Sequence, residues 1–326
     1  MGMVIFCGRE KMKIAIKWVG AAVACLALLY FGLKFKDQLR DALPLLLESD
    51  SLIWCIFGAC AVSAQTACAG LAWQRILLIL GVSIRSVDAI RILFIAQFAR
   101  YIPGNIGHHI GKLAMIRSEG VSLKLGALSL LVETVLVLML GMFLSLVFMP
   151  SDFYAYVTQG NWVVPAMVLA CLVLAVGVYL LKRGAKAQII FDAREAILKN
   201  WKGQLVRISE IVTYYLINFL FLGWLAWLLA TQVFDVHSLS MLQLTSIMAF
   251  SWTVGFVAPG APAGIGVREV IALSLLSTTF DTGVAARLVM LHRLVLTFGD
   301  LITFLLGLLM SVVSGKQLGV NKEESL

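Results

Sequence analysis

Ionisable side chains lie inside the apolar stretches of this chain, on either side of two short interruptions. The interruptions read PGNIG at 103–107 and PAGIG at 262–266, so their residue numbers differ by a constant offset of 159. An ionisable group at membrane depth costs about 2.5–3.5 kcal/mol on insertion scales, so such groups are functional candidates. The groups around these two motifs are Arg100, His108, His109, Lys112, Glu133, Arg268, Glu269, Arg287, His292, Arg293 and Asp300.

The two motifs favour the binding of an anion. The N-terminus of a half-helix exposes amides without internal partners and carries the positive end of the helix dipole. Glycines allow the backbone to approach such a group closely, and basic side chains lie nearby. The expected ligand is a phosphate or a carboxylate. Its candidate binding residues are Arg100, Pro103, Gly104, Asn105, Gly107, His108, Lys112, Pro262, Gly264, Gly266, Arg268 and Glu269.

A second set of charges lies deeper in the following spans and is a candidate for ion pairing or coupling. Glu133 and His292 are related by the same offset of 159 and so occupy equivalent places in two related segments. We expect Glu133 to pair with Arg293 or His292 near the membrane midplane, because an unpaired charge there would neutralise. Asp300 completes the set. The alternative is a purely structural ion pair, and for Arg268 beside Glu269 a local pair is equally open.

Catalytic and metal chemistry are not predicted. Adjacent residues such as His108 and His109 point about 100° apart on a helix, and no cysteine or carboxylate cluster accompanies them. Neither a nucleophile elbow, nor a P-loop, nor a dinucleotide fingerprint is present at a strand–helix junction. We expect no enzyme activity, no metal and no cofactor.

The elements that must position these residues are membrane helices. The chain is 61% hydrophobic and 13% charged, with a mean hydropathy of +0.95, whereas soluble domains are about 25% charged. The charge of +8 is spread over short loops, which indicates membrane topology rather than nucleic-acid binding. A span needs about 20 apolar residues. The sequence predicts one all-α membrane domain over 1–326, with full spans at 14–33, 52–72, 126–149, 161–181, 211–231 and 284–313.

Two further apolar regions, 87–117 and 241–279, each contain one of the interruptions. Because proline ends a helix, each region is predicted to form two half-helices that meet at a turn. Such a turn must be buried in protein or line a wet cavity. For the first region we expect a re-entrant hairpin. The second is predicted to be a re-entrant hairpin or two full spans.

Lysine and arginine positions give one consistent topology. Both termini, the segments at 75–91 and 112–124, and a basic amphipathic connector at 182–210 are predicted to be cytoplasmic. The two broken regions then enter from opposite faces. The spans starting near 52 and 211 also share the offset of 159. We therefore predict an inverted-topology repeat, with a first half at 14–149 and a second half at 161–313.

Several segments resemble a known membrane family. The sequences RYIPGNIGHHIGK, LLVET, APGAPAGIGVRE and LHRLV are similar to the membrane region of lysylphosphatidylglycerol synthase/flippases. The resemblance implies an all-helical flippase-like domain that moves a lipid between leaflets, with Glu133 and Arg293 as intramembrane charged positions. Related sequences often have Glu-Arg where Glu133-Thr134 stands here. We expect a stand-alone member, with no synthase domain after residue 326.

The expected function is translocation of an anionic lipid or a lipid-linked saccharide in the bacterial inner membrane. One alternative is an ion-coupled transporter of a small anionic solute, in which Glu133 or His292 carries the proton. Another is a non-catalytic membrane partner of an envelope-glycan or glycosyltransferase system. The expected partners are thus membrane lipid, a lipid-linked saccharide or an envelope-biosynthesis enzyme.

Overall fold

A computed structural model describes residues 49–101, 107–150, 201–258 and 264–315, which form helices joined by turns and short irregular loops. The predicted spans at 14–33 and 161–181 lie outside the described residues. Eight α-helices occur in the described ranges: α1 (Ser49–Ile79), α2 (Ser86–Phe98), α3 (Gly107–Ser118), α4 (Leu123–Val147), α5 (Trp201–Gln232), α6 (Met241–Val257), α7 (Val267–Leu276) and α8 (Thr282–Val313). We refer to α1–α4 as the first half and to α5–α8 as the second half.

Four of these helices, α1, α4, α5 and α8, are long and apolar enough to cross a membrane. They coincide with four of the six predicted spans, so the chain is a multi-pass membrane protein. One boundary differs from the prediction. Residues 201–210, assigned above to the amphipathic connector, are the first turns of α5, which continues without a break to Gln232.

The other four helices are short and come in two pairs. In the first pair, α2 has 13 residues, is followed by a 3₁₀ turn at Ala99–Tyr101, and precedes α3 with 12 residues. In the second pair, α6 has 17 residues and α7 has 10. Each helix is shorter than the roughly 20 residues that a full span needs. The helical breaks fall at the two Pro/Gly motifs.

Local sequence explains where the second pair begins. Ser240 and Gln243 form a capping box at the start of α6: the Gln243 amide donates to the Ser240 hydroxyl, and the Gln243 side chain accepts from the Ser240 amide. Gly266 precedes α7 with a φ of +88°, a conformation that side chains other than glycine rarely adopt.

The two halves have matching helix boundaries around their breaks. The broken helices α2 and α6 end at Phe98 and Val257, which reproduces the offset of 159 between the motifs. The N-caps of α4 and α8, Ser122 and Asp281, are related by the same offset, and each side chain accepts a hydrogen bond from the first turn.

The first helices of the two halves end at a different offset from the one predicted. α1 ends at Ile79 and α5 at Gln232, which gives an offset of 153. The difference arises after these helices. The loop before α6 is two residues longer than the loop before α2, and α6 begins about one turn earlier in the repeat.

The long helices α1 and α5 pack against each other in opposite directions. The Gln65 side-chain amide donates to the Asn218 oxygen, while further along α1 the Arg75 guanidinium contacts Glu210 at 2.6 Å. Positions rise on α1 as they fall on α5, which defines an antiparallel pair.

The last helix of each half packs against the broken helix of the other half. On one side, α8 runs antiparallel to α2, where Phe304 stacks on Phe98 with ring centroids 5.1 Å apart. On the other side, α4 packs against α6, where the Ser246 hydroxyl donates to the carbonyl of Ser145 at 2.7 Å. The halves are therefore interlocked rather than side by side.

Small residues bring these helices close together. A Cβ added at Gly299 of α8 would lie 2.5 Å from the Cβ of Val62 on α1, and one at Gly307 would lie 2.8 Å from the Cβ of Phe94 on α2. Between membrane helices such close packing is a main source of attraction, because lipid tails are as apolar as the side chains.

Candidate functional site

A row of rings connects the two breaks. Phe256, near the end of α6, lies edge-on to His108 and His109 at the start of α3, with centroids 6.4 and 6.3 Å apart. Trp252, one turn earlier, stacks on Phe256 at 5.1 Å. The Arg268 guanidinium lies 5.0 Å over the Trp252 ring, a cation–π contact. The structure thus brings the charged residues of both motifs into one neighbourhood.

Two glycines make room for Arg268. A Cβ at Gly255 would collide with the Arg268 side chain, and a Cβ at Gly264 would lie 2.5 Å from its Nε. Gly264 also has a φ of +69°. Within the described residues no carboxylate lies within ion-pair distance of Arg268, and its buried Nε has no hydrogen-bond partner. The local pair with Glu269 that the sequence left open is not formed.

Glu269 instead contacts two other groups. Its Oε2 accepts a hydrogen bond of 2.6 Å from the Gly266 amide at the N-terminus of α7. Its Oε1 lies 3.3 Å from the Nε of Arg293 on α8. The Arg293 side chain is only 7% exposed, and its Nε and Nη2 make no hydrogen bond within the described part of the chain. Arg293 is therefore a buried cation that is incompletely satisfied.

A small cavity of about 40 Å³ opens beside these side chains. Water needs about 10–15 Å³ of such space, so the cavity has room for a few waters or one small polar group. Its polar lining consists of Ser251, Arg268, Glu269, His292 and Arg293. Trp252 and several aliphatic side chains complete the wall. This cavity is a candidate ligand site because two arginines with unsatisfied donors line it.

Glu133 does not pair with Arg293 or His292, and the sequence prediction on this point is wrong. The Lys112 ammonium donates to both Glu133 oxygens, at 2.8 and 2.9 Å. It also lies 5.3 Å from the centroid of the Trp73 ring. The pair joins α3 to α4 within the first half, because α3 turns back against the helix that follows it.

His292 and Asp300 find their own partners. The His292 Nε2 lies 3.2 Å from the carbonyl of Leu222 on α5, at the edge of the cavity. Asp300 accepts a hydrogen bond of 2.6 Å from the Tyr101 hydroxyl and lies 3.2 Å from the Arg100 guanidinium. This second contact ties the end of the first broken helix to α8.

Positive charge is in excess among the described residues of this region. The cluster holds three ion pairs with an additional arginine beside them. Its cations are Arg100, Lys112, Arg268 and Arg293, and its carboxylates are Glu133, Glu269 and Asp300. A surplus cation enclosed by apolar helices is costly unless an anion joins it.

Four of the predicted motif residues lie outside the described residues: Pro103, Gly104, Asn105 and Pro262. Gly107 is the first residue of α3, and Gly266 caps α7. Sequence reasoning missed two aromatic residues, Trp252 and Phe256. They belong to a continuous apolar stretch, where nothing in the pattern distinguishes a ring that lines a site from one that faces lipid. Tyr101 was also missed, although it follows Arg100 directly.

A separate ionic network lies at the other end of α2. Buried Arg91 contacts Glu119 at 2.7 Å, Asp88 at 3.8 Å and the Ser311 hydroxyl at 3.4 Å. Arg85, in the loop before α2, donates to Asp88, and this hydrogen bond raises the pKa of the Arg85 guanidinium. The network ties α2 and α3 to the end of α8, away from the cavity.

Comparison with known proteins does not add to these observations. The chain matches no protein-family model, and no curated protein matches it significantly. Any functional conclusion therefore depends on the geometry of the site.

Proposed function

We propose that this chain is a flippase-like translocator of an anionic lipid or lipid-linked saccharide in the bacterial inner membrane. The observation that carries the proposal is the surplus positive charge of Arg268 and the incompletely satisfied Arg293, both beside a cavity lined by the helices of the second half. A headgroup phosphate supplies the missing negative charge, and guanidinium groups bind phosphate oxygens in pairs.

An inverted-topology repeat is part of this proposal. It is supported by the offset of 159 at both breaks and by the antiparallel packing of α1 and α5. Gln65 and Asn218 are related by an offset of 153, the same as the ends of α1 and α5, and they hydrogen-bond to each other. A pseudo-two-fold axis in the membrane plane would pass between them. Transporters with such repeats bind substrate at the interface of the halves.

Both broken regions are proposed to be re-entrant hairpins. The helices α6 and α7 have 17 and 10 residues, so neither arm reaches the length of a full span. Under this proposal His108 and Arg268, in the first turns of α3 and α7, lie inside the membrane. Irregular backbone at that depth is tolerated where it lines a cavity.

The size of the cavity suggests how a lipid would bind. About 40 Å³ accommodates part of a headgroup but no acyl chain. The acyl chains would remain among the lipid-facing helices while the phosphate crosses between the halves. This division of the substrate agrees with the resemblance to the lysylphosphatidylglycerol synthase/flippase family, and membership in that family is part of the proposal.

The small cavity also favours a second candidate, ion-coupled transport of a small anionic solute such as inorganic phosphate. In that case the whole substrate occupies the cavity and no acyl chain is required. The two candidates differ in a simple measurement. A lipid translocator moves a labelled lipid without any soluble substrate, whereas a solute transporter takes up the radioactive anion into sealed vesicles.

The test uses the full chain in proteoliposomes that contain acyl-chain-labelled fluorescent lipids. Dithionite added outside destroys the label in the outer leaflet, so further loss of fluorescence reports translocation. We expect faster loss with phosphatidylglycerol or phosphatidic acid than with zwitterionic phosphatidylcholine. Equal rates for all three lipids, or rates equal to those of empty liposomes, would contradict the proposal.

A further inference from the structure

Glu269 lies where an anionic ligand would be expected. Its carboxylate contacts the Gly266 amide at the N-terminus of α7 and the buried guanidinium of Arg293. Free amides at a helix N-terminus and guanidinium groups are the two kinds of donor that most often bind phosphate in proteins. One carboxylate of the chain itself thus occupies both.

The contact between Glu269 and Arg293 is nevertheless incomplete. A free arginine–carboxylate pair usually forms two parallel hydrogen bonds. Here Glu269 Oε1 is 3.3 Å from the Arg293 Nε, without hydrogen-bond geometry, and the buried Nη2 has no partner in the described part of the chain. One Glu269 oxygen is already bonded to the Gly266 amide, so the carboxylate does not form two hydrogen bonds with Arg293. Three buried donor atoms remain unsatisfied around the cavity: Arg293 Nε, Arg293 Nη2 and Arg268 Nε.

We propose that Glu269 is a resident counter-ion that occupies the substrate's place in the empty protein and is displaced from Arg293 when substrate binds. This inference builds on the proposed anion site and specifies its ligand class. A tethered carboxylate competes at high effective concentration, so a free carboxylate gains nothing by replacing it. A phosphate monoester or inorganic phosphate has more free oxygens and more charge than a carboxylate, so it is expected to contact the donors of both arginines at once.

Two consequences follow for the transport cycle. With Glu269 in place, Arg293 is partly neutralised in the empty protein, which lowers the cost of its burial. When substrate leaves, the returning carboxylate competes for the same guanidinium and promotes release. Glu269 is thus a positioning and specificity residue that should weaken binding and hasten turnover.

The test is the Glu269→Gln substitution in the full-length protein. Glutamine keeps an oxygen that accepts from the Gly266 amide, so the start of α7 is preserved while the charge is removed. Binding of tritiated phosphatidic acid in mixed micelles, of radioactive inorganic phosphate, and of acetate is measured for each variant. The matched control is Glu210→Gln, which removes a carboxylate from the Arg75 pair outside the site.

We expect Glu269→Gln to bind phosphatidic acid about tenfold or more tightly than wild type, since a hydrogen bond to a charged group is worth roughly that factor. Its translocation rate should fall because release slows. Glu210→Gln should leave the affinity unchanged, and Arg293→Gln should lose binding. A gain for phosphatidic acid alone identifies a lipid headgroup, whereas an equal gain for inorganic phosphate identifies the free anion.

Two outcomes would overturn the inference. The first is unchanged or weaker binding by Glu269→Gln while Arg293→Gln still loses binding; this result leaves the proposed anion site intact. The second is binding of acetate by wild type as tightly as the phosphate ligands, which would show that Glu269 does not exclude carboxylates. If Glu269→Gln does not fold, Glu269→Asp withdraws the carboxylate from Arg293, and a gain in the same direction is required. Absence of binding in wild type and in every variant would instead contradict the proposed function.

Discussion

The two halves each tie the short helix after their break to the following long helix with one ion pair, but the polarity is reversed. In the first half the cation Lys112 is on the short helix and the anion Glu133 on the long one. In the second half the anion Glu269 is on the short helix and the cation Arg293 on the long one. Corresponding helices of the two halves are thus joined by opposite arrangements of charge.

The quality of the two pairs differs as well. Lys112 makes two short hydrogen bonds to Glu133 and lies over the Trp73 ring. Arg293 makes one longer contact and borders a cavity. The first pair is fully hydrogen-bonded, as expected of a pair that stabilises the fold. The second leaves buried donors unsatisfied, as expected of a ligand site. A buried charge thus indicates function mainly where its partner leaves it incompletely satisfied.

The largest effect on stability should come from breaking the Lys112–Glu133 pair. Glu133→Ala leaves the Lys112 ammonium buried without its carboxylate, which typically costs about 3–5 kcal/mol. We expect a large fall in the thermal stability of the detergent-solubilised protein. The double substitution Lys112→Met with Glu133→Leu replaces the pair by apolar side chains and should recover most of that loss. If Glu133→Ala were as stable as wild type, the Lys112–Glu133 pair would not stabilise the fold.

Arg268 should show the opposite pattern, with a large effect on binding and a small one on stability. Arg268→Gln removes a cation that has no carboxylate partner in the described structure. The lost cation–π contact is worth about 0.5–2 kcal/mol. We expect phosphatidic acid binding to weaken about tenfold or more, as for the loss of a hydrogen bond to a charged group. Unchanged binding would show that the second half's cations do not act together.

The importance of the space around the Arg268 side chain can be tested at Gly264 and Gly266, which both have positive φ. Alanine at either position incurs backbone strain of about 1–2 kcal/mol. At Gly264 the new Cβ would also meet the Arg268 Nε, whereas at Gly266 nothing lies within 4 Å. Because the Cβ at Gly264 would also lie 2.8 Å from the Gly255 carbonyl oxygen, we expect Gly264→Ala to lose more stability than Gly266→Ala, with weaker anion binding in Gly264→Ala only. Equal binding by the two variants would argue against a role for the position of Arg268.

The smallest effect is expected at the Arg75–Glu210 pair. Its side chains are 24% and 33% exposed, and pairs of this kind contribute about 0–1 kcal/mol. Glu210→Gln should change the melting temperature little and leave lipid translocation at the wild-type rate. A loss comparable to that of Glu133→Ala would show that any charge removed from these helices has the same consequence.

Sequence reasoning located the elements better than the contacts. The apolar lengths of α1, α4, α5 and α8 and the helical breaks at the Pro/Gly motifs are explicit in the residue order. The partner of Glu133 is not, because it depends on how α3 folds back onto α4. Nor could the sequence show that the ends of α1 and α5 have an offset of 153, which results from a longer loop and an extra turn of α6.

The same limitation applied within the site. The charged residues near both motifs were predicted because ionisable groups are conspicuous in an apolar chain. Trp252 and Phe256 were not predicted, since an aromatic ring in an apolar helix carries no signal of the direction in which it points. The proposals that depend on the repeat, on the lipid and on family membership remain predictions.

The central claim is that Arg293 binds the anionic group that is moved across the membrane. The most direct measurement is the translocation rate of acyl-chain-labelled phosphatidylglycerol in proteoliposomes that contain wild type, Arg293→Gln or the matched control Arg75→Gln. We expect Arg293→Gln to reduce the rate to that of empty liposomes, while Arg75→Gln retains the wild-type rate. A wild-type rate in Arg293→Gln, in protein shown to be folded by its melting curve, would contradict the central claim.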